Sequence, residues 1–112
     1  MGMGRVFAMT RHGLNIPDEG LASFCTRWRI VELAVFGSIL RNDFRRDSDV
    51  DVLVRWADDA KWSLLDHVRM QDELTALLGR KVDLVSRRAV ERSPNWIRRT
   101  AILESAEVIY AA

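Results

Sequence analysis

Two aspartates interrupt an apolar run in the segment SDVDVLVRW, residues 48–56, and this pattern constrains the fold more than any other feature of the chain. Successive side chains of a strand point to opposite faces, so Asp49 and Asp51 share one face. The opposite face carries Val50, Val52, Val54 and Trp56. We expect these apolar residues to pack against helices. The segment therefore predicts a strand over 50–56 that buries one face, with the two carboxylates side by side on the other.

Helix-capping and turn residues divide the rest of the chain into further predicted elements. These are helices over 17–28, 63–79 and 95–105, strands over 30–36 and 81–86, and a short helical turn with a polar loop over 39–48. Asp66 stands three residues after Ser63, which is typical of a capping box, and Gly79 suits the end of that helix. The apolar face predicted for the helix consists of residues near helical spacing: Leu64, Val68, Leu74, Leu77 and Leu78. Pro94 suits the first turn of the last helix. Residues 107–110 are compatible with a closing strand or with the tail of that helix.

The length of 112 residues indicates one compact domain. We expect residues 1–14, which show no clear periodicity, to be a flexible segment and residues 15–112 to form a single domain. The order helix, strand, strand, helix, strand, helix is not a regular β-α-β alternation. It predicts an α/β (α+β) fold.

Charge and cysteine content exclude several classes of protein. The formal net charge is +1, so the composition gives no indication of direct nucleic-acid binding. The only cysteine, Cys25, excludes an internal disulfide and a multi-thiolate metal site, and we expect it to be a buried apolar residue. No apolar run is long enough to span a membrane, and the N-terminus lacks the apolar stretch of a signal peptide. We therefore expect a cytoplasmic protein.

A third acid, Asp83, lies in another apolar strand and is expected to join the first two if the strands pair. Carboxylates held together repel one another, and a bound cation removes that penalty. Mg²⁺ prefers oxygen ligands and completes its shell with waters and phosphates. Three carboxylates can hold two metal ions about 4 Å apart, the arrangement used for nucleotidyl transfer. Asp49, Asp51 and Asp83 are therefore the predicted metal ligands.

Gly37 and Ser38 follow the strand over 30–36 and predict a phosphate site beside these acids. Glycine lets the backbone approach a ligand closely, and the turn begins a short helix whose N–H groups favour an anion. The Ser38 hydroxyl can donate to a phosphate oxygen. Arg41, one helical turn further on, adds positive charge.

Together, Gly37-Ser38, Asp49-x-Asp51 and the later Asp83 resemble the signature of the nucleotidyltransferase superfamily. The short chain resembles its smallest members, the minimal nucleotidyltransferases (MNT), which are commonly encoded beside HEPN proteins in toxin–antitoxin pairs. The resemblance covers residues 30–84, and the end of the chain more loosely. It implies the DNA polymerase β-like core, a small mixed β-sheet covered by helices.

The resemblance also implies an activity and a role for each site residue. The enzyme would transfer AMP from ATP, with two Mg²⁺ ions, to a tyrosine of a HEPN ribonuclease toxin, and so act as its antitoxin. Gly37 and Ser38 would bind the triphosphate, and Asp49 and Asp51 would bind both metals. Asp83 would be the third ligand and the base for the acceptor hydroxyl. A homo-oligomer, or a larger assembly with the partner, is also implied.

The chain departs from the family pattern at two positions. Many members carry arginine directly after Gly-Ser, where this chain has Ile39, and glycine after the next arginine, where it has Asn42. These differences concern phosphate affinity and acceptor choice more than metal chemistry.

Other interpretations remain open. The sequence is also compatible with a non-catalytic antitoxin that masks its toxin by contact, and with an enzyme that transfers a nucleotide to a small molecule. Asp49 alone suits the entry into a strand, and Asp51 alone suits an ion pair with an arginine. We expect His67 to be a packed histidine and the four tryptophans to be packing residues. Contact of Arg87, Arg88 and Arg92 with a partner or acceptor also stays open.

Overall fold

Five strands and four α-helices form in the computed structural model, which describes residues 4–6, 16–40 and 49–112, with Ser38 described by its backbone alone. The strands are β1 (Arg5–Val6), β2 (Ile30–Phe36), β3 (Val50–Trp56), β4 (Val82–Ser86) and β5 (Glu107–Ala111). The helices are α1 (Asp18–Arg27), α2 (Leu64–Leu78), α3 (Arg87–Glu91) and α4 (Trp96–Ser105), and a 3₁₀ turn covers Gly37–Leu40. The bounds predicted for β2 and β3 are confirmed to the residue.

The strands make one mixed sheet in the order β1-β5-β2-β3-β4. Strands β2 and β3 pair in an antiparallel register that places Phe36 opposite Asp51. Strands β3 and β4 run parallel, with α2 as the crossover between them. The predicted α/β fold with a mixed sheet under helices is confirmed.

Helices α1 and α2 cover one face of the sheet, here called the thick face. Every second residue of β3 points into it, so Val50, Val52 and Val54 are fully buried, as predicted. Helix α2 contributes the buried residues Met70, Leu74 and Leu78. Their spacing of four residues puts them on one side of the helix. This layer forms the main hydrophobic core.

Helices α3 and α4 cover part of the opposite face, here called the thin face. Its core is a small cluster of five buried residues: Ala34, Phe36, Leu53, Val90 and Ile102. Leu53 lies on the same face of β3 as the acids, and it is buried because α3 and α4 return over this part of the sheet. Helix α3 was not predicted at all, since its five residues are too few to show a period.

Capping residues define α2 as the sequence indicates. The Ser63 hydroxyl accepts a hydrogen bond from the Asp66 backbone N–H at 3.1 Å, and the Asp66 carboxylate accepts one from the Ser63 backbone N–H at 3.0 Å. Gly79 ends the helix in the left-handed conformation. The apolar residues of its first turns behave differently from expectation, because Leu64 and Val68 are 82% and 44% exposed. The core-facing stripe of α2 therefore begins only at Met70.

Three polar side chains of α2 cover the outer edge of β4. The Val82 N–H donates to Thr75 Oγ1 at 3.0 Å, and the Leu84 N–H donates to Gln71 Oε1 at 2.9 Å. His67 Nε2 lies 2.8 Å from the Leu84 carbonyl oxygen. Since a carbonyl can only accept, this nitrogen carries the proton. The packed role predicted for His67 is confirmed.

The chain ends differ from expectation in two ways. Arg5 and Val6 form a strand that pairs with β5, so the expected flexible segment over 1–14 contains an ordered pair of residues. Two residues are too few for any pattern to predict, and the remainder of that segment other than Gly4 lies outside the described residues. Asn95 caps α4 by accepting from the Arg98 N–H, which leaves Pro94 before the helix and not in its first turn. Residues 107–111 form a strand, which is one of the two alternatives left open for the end of the chain.

Burial accounts for the properties of two titratable groups. Cys25 is fully buried, and loss of solvation raises the pKa of its thiol far above the ordinary range. This thiol stays protonated, which confirms Cys25 as a packing residue. Burial also raises the pKa of Tyr110. Among the described residues, none of the helices is both long and apolar enough to cross a bilayer.

Candidate active site

Asp51 and Asp83 occupy matching positions on neighbouring strands. They are direct register partners in the parallel β3–β4 pair. Neighbouring strands lie about 4.8 Å apart, so the two carboxylates project side by side from the thin face. Asp51 is half-buried and Asp83 is exposed. The sequence could predict this meeting only on the condition that the strands pair, and the structure fulfils that condition.

Asp49 lies at the entrance to the same strand. It immediately precedes β3 and is exposed. The next residue, Val50, donates its N–H to the Lys81 carbonyl at 2.8 Å, which fixes the start of β3 against the start of β4. Asp49 thus stands at the end of the sheet where both strands begin, two residues before Asp51.

Gly37 is tightly packed against Asp51. Its φ is +76°, in the left-handed region that favours glycine. A Cβ atom at this position would collide with Asp51 Oδ2. Glycine is therefore required both by the backbone angle and by the carboxylate beside it. The Gly-Ser turn and the first strand acid meet in space, although 14 positions separate Gly37 and Asp51 in the sequence.

The 3₁₀ turn after β2 is anchored to the main core by Ile39 and, less deeply, by Leu40. Ile39 is fully buried in the main core, so the residue that replaces the family's arginine fixes the turn and does not reach a ligand. Ser38 lies in the turn by its backbone. Arg41 and Asn42 lie outside the described residues. The predicted contribution of Arg41 stays a prediction.

The acids of the site supply the oxygen ligands that a Mg²⁺ ion prefers. Asp51 and Asp83 supply two carboxylates at one register position. Within residues 4–6, 16–40 and 49–112, however, no three His, Cys, Asp or Glu side chains stand together as a ready metal site. Mg²⁺ commonly takes one or two carboxylates and completes its shell with waters and substrate phosphates. The pair fits such an ion, with Asp49 as the additional acid nearest to it in the chain.

The arginine that follows β4 has a different role from the one considered from the sequence. Arg87 donates to Glu32 Oε1 at 2.6 Å and lies 3.5 Å from Glu91. Both partners of the first pair are at least two-thirds buried, so this contact joins α3 to β2. Arg87 is therefore a structural residue of the thin face. Arg88 and Arg92 remain exposed.

Three of the four tryptophans pack against other rings, and the fourth is exposed. Trp28 and Trp62 pack edge to face with ring centroids 5.1 Å apart, and Trp56 packs similarly against His67. Trp96 is 63% exposed at the start of α4. Sequence reasoning alone gave no signal to separate it from the others.

Comparison with known proteins agrees with this geometry. The sequence model of the family described as nucleotidyltransferase domain matches residues 18–109. The matched range includes the glycine and the three acids described above. A relative from Thermococcus cleftensis, named protein adenylyltransferase MntA, is 37% identical over 84 residues, which cover 75% of this chain and 77% of that protein.

Solved structures give the same result. The structure of a candidate minimal nucleotidyltransferase is 40% identical with a TM-score of 0.60, over 79% of this chain and 84% of that one. A toxin–antitoxin crystal structure with AMP-PNP has a TM-score of 0.63 at 19% identity, over 84% of this chain and 73% of that one. At that identity the second similarity concerns the fold alone.

Proposed function

The chain belongs to the nucleotidyltransferase domain family, and from that premise we propose that it is an antitoxin that transfers AMP from ATP to a partner protein. The observation that carries the proposal is the register match of Asp51 with Asp83, beside a glycine turn packed on Asp51. The name of the T. cleftensis relative supports a protein as the acceptor. The resemblance of the sequence to the minimal nucleotidyltransferases of toxin–antitoxin pairs supports a toxin as that protein.

The reaction requires an acceptor oxygen, a triphosphate and a place for one proton. The acceptor hydroxyl oxygen bonds to the α-phosphorus of ATP while the bond from that phosphorus to the β-phosphate oxygen breaks. Pyrophosphate leaves with the bonding electrons, and the hydroxyl proton passes to a base. We assign that base to Asp83, because it is the more exposed acid of the pair and thus the one open to an incoming acceptor.

Each remaining residue has a role in holding the reactants. Gly37 and Ser38 would hold the triphosphate through their backbone, and Arg41 would add positive charge. Asp49, Asp51 and Asp83 would hold Mg²⁺, which supplies charge to offset the phosphates and to activate the attacking oxygen. The proposed acceptor is a tyrosine of a HEPN-type ribonuclease, as the family resemblance implies.

A direct test uses the protein encoded beside this chain. Both proteins are purified, mixed with ATP and Mg²⁺, and the partner is weighed by intact-mass spectrometry. We expect a gain of one or more AMP units. The double variant Asp49→Asn, Asp51→Asn should lower the rate of AMP transfer by about 10³-fold or more. It removes the negative charge of two of the three proposed Mg²⁺ ligands.

A matched control is the double variant Asp18→Asn, Asp72→Asn, which changes two exposed aspartates on α1 and α2, away from the three acids of the site. It should transfer AMP at the wild-type rate. A tight complex whose partner gains no mass would contradict transfer to that protein and favour masking by contact. Equal loss in the control would mean that the double variant acts through the overall charge and not through the site.

A further inference from the structure

A cavity of about 860 Å³ opens at the end of β3 opposite to the aspartates. Here it is called the distal cleft, and it is defined by the side chains Trp56, Trp62, Leu64, Arg55, Lys61 and Arg88. Arg55 follows Asp51 by four residues, which corresponds to roughly 13 Å along a strand. The distal cleft is therefore separate from the candidate active site but is carried by the same strand.

The apolar wall of the cleft continues onto the surface of α2. Leu64 is 82% exposed at its rim, and Leu65 and Val68 beyond it are 60% and 44% exposed. Neighbouring aliphatic side chains exposed to water indicate a surface that binds a macromolecule. A small ligand would fill the cavity but leave this extension uncovered. The occupant that fits both is a protein segment.

The charge of the cleft indicates the chemistry of that segment. None of Arg55, Lys61 and Arg88 makes an ion pair with any residue that the structure describes. Of the two acids that line the cleft, Glu91 already lies 3.5 Å from Arg87. The cations thus outnumber the acids that could balance them. A segment with acidic residues beside apolar ones complements this surface.

A second copy of this chain is a poorer match. In a two-fold symmetric dimer the same surface lies on both sides of the interface. Three unpaired cations would then face three others. Nucleic acid is a poorer match as well: bases could stack on Trp56 and Trp62, but the charged backbone would leave the exposed Leu64, Leu65 and Val68 without an apolar contact.

We propose that the distal cleft docks an acidic, apolar segment of the partner protein, away from the residue that receives AMP. The proposal rests on the proposed function in taking the acceptor to be a protein. It assigns recognition of the folded partner to one end of β3 and chemistry to the other. A partner bound this way must span roughly 13 Å between its docked segment and its acceptor residue.

The test separates docking from chemistry by using two acceptors. One is the folded protein encoded beside this chain, and the other is a short peptide containing its modified residue. The variants are Leu64→Asp and the double variant Lys61→Glu, Arg88→Glu. Leu64 is the first residue of α2, where an acidic side chain is compatible with the helix. Ile97→Asp is the control, since Ile97 is 65% exposed in the first turn of α4 and lies outside the cleft.

We expect both cleft variants to raise KM for the folded protein about tenfold or more, with kcat unchanged, as for the loss of one contact important for binding. The short peptide should be modified at the wild-type rate, and Ile97→Asp should behave as wild type with both acceptors. Unchanged KM in the cleft variants would overturn the proposal. So would an equal loss with the peptide, because the variants would then be acting on the catalytic end.

Failure of the proposed function remains distinguishable from failure of docking. If the wild-type chain transfers no AMP, calorimetric titration with the same folded protein decides the matter. Weaker binding by Leu64→Asp but not by Ile97→Asp supports docking without catalysis, whereas equal binding or no wild-type complex overturns it. Two other results would assign the cleft to another occupant and also overturn the proposal. One is a wild-type homodimer that the Leu64→Asp change dissociates. The other is tight binding of a mixed-sequence RNA that is lost in the Lys61→Glu, Arg88→Glu variant.

Discussion

The two faces of the sheet differ in how much they bury and in what they carry. On the thick face the 15-residue α2 and the 10-residue α1 pack against the sheet. The layer between them contains fully buried residues of both the sheet and α2, such as Leu33, Val52 and Leu74. The thin face has a cluster of only five buried residues under α3 and α4. It also carries Asp51 and Asp83. The comparison suggests that one face supplies the free energy of folding, so that the other can expose paired acids.

The register of the sheet explains why the division is possible. Alternate residues of β3 point to opposite faces of the sheet. Its valines therefore stabilise the fold by burial, and its acids lie on the other face, outside that core. Carboxylates on the thick face would be buried without partners, which is costly. Because α3 and α4 cover only part of the thin face, its carboxylates stay accessible to solvent and to a substrate. The stability of the fold and the chemistry of the site can therefore be altered independently.

A leucine pair can test this contrast directly, and it carries the largest expected effect. Leu74 lies on the thick face and is 0% exposed, and Leu53 lies on the thin face and is 2% exposed. We expect Leu74→Ala to lower the free energy of unfolding by about 4 kcal/mol and Leu53→Ala by about 2–3 kcal/mol. The thin face can collapse more easily around the missing atoms. Urea denaturation of both variants measures the difference, and equal losses would contradict the division between the faces.

A glycine pair sharpens the contrast with a smaller effect. Gly37 and Gly79 have φ values of +76° and +69°, but only Gly37 is packed against Asp51, and a Cβ on Gly79 meets nothing within 4 Å. Each glycine-to-alanine change should cost about 1–2 kcal/mol from the left-handed backbone. Only Gly37→Ala should also slow AMP transfer, by about tenfold or more, because it displaces the carboxylate.

Thermal unfolding and rates of AMP transfer measure the two effects of the glycine changes. The stability losses should be similar and the transfer rates should differ. Transfer at the wild-type rate in Gly37→Ala would mean that the position of Asp51 does not matter for the reaction. Slow transfer in Gly79→Ala would mean that the loss of stability alone reduces activity.

The smallest expected effect is a pH dependence of the thick face. Hydrogen bonds from the Ser63 backbone N–H and hydroxyl lower the pKa of Asp66. Its folded pKa lies below its unfolded value, so its contribution to stability is present above the ordinary pKa of about 4. That contribution is lost as the pH falls through the lowered value.

The Ser63→Ala variant removes the hydroxyl part of this contribution and leaves the backbone N–H bond in place. Its Tm should lie below that of wild type at about pH 7, and the gap should narrow as the pH falls through the lowered pKa of Asp66. Ser105→Ala is a matched control, since its hydroxyl donates to the Ala101 carbonyl and contacts no carboxylate. A gap that stays constant with pH would show that Asp66 does not contribute through its charge.

The sequence predicts the elements that have a long apolar run or clear helix-capping residues. Strands β2 and β3 are uninterrupted enough to be placed to the residue, and Ser63, Asp66 and Gly79 define α2 through chemistry that needs no tertiary context. Strand β1 and helix α3 were missed because two and five residues cannot show a period. The exposure of Leu64 was missed because spacing along a helix does not reveal where the sheet beneath it ends.

The same reasoning explains what could be known of the site. Alternation in β3 predicted that Asp49 and Asp51 share a face, but the approach of Asp83 depended on which strand pairs with β3. The contact of Gly37 with Asp51 depended on the antiparallel register of β2. Such long-range pairings leave no local trace in a single sequence. The interpretation of the site therefore drew on the resemblance to a family as well as on the residues.

The polar side chains that α2 places along β4 have a consequence for how the protein associates with others. Strand β4 is the last strand of the sheet, and an unpaired edge normally invites another strand to extend it. Here Thr75, Gln71 and His67 already bond to the N–H groups of Val82 and Leu84 and to the Leu84 carbonyl. An incoming strand would have to break these bonds before forming its own. This border of the sheet thus resists aggregation, and complexes are left to form through side-chain surfaces.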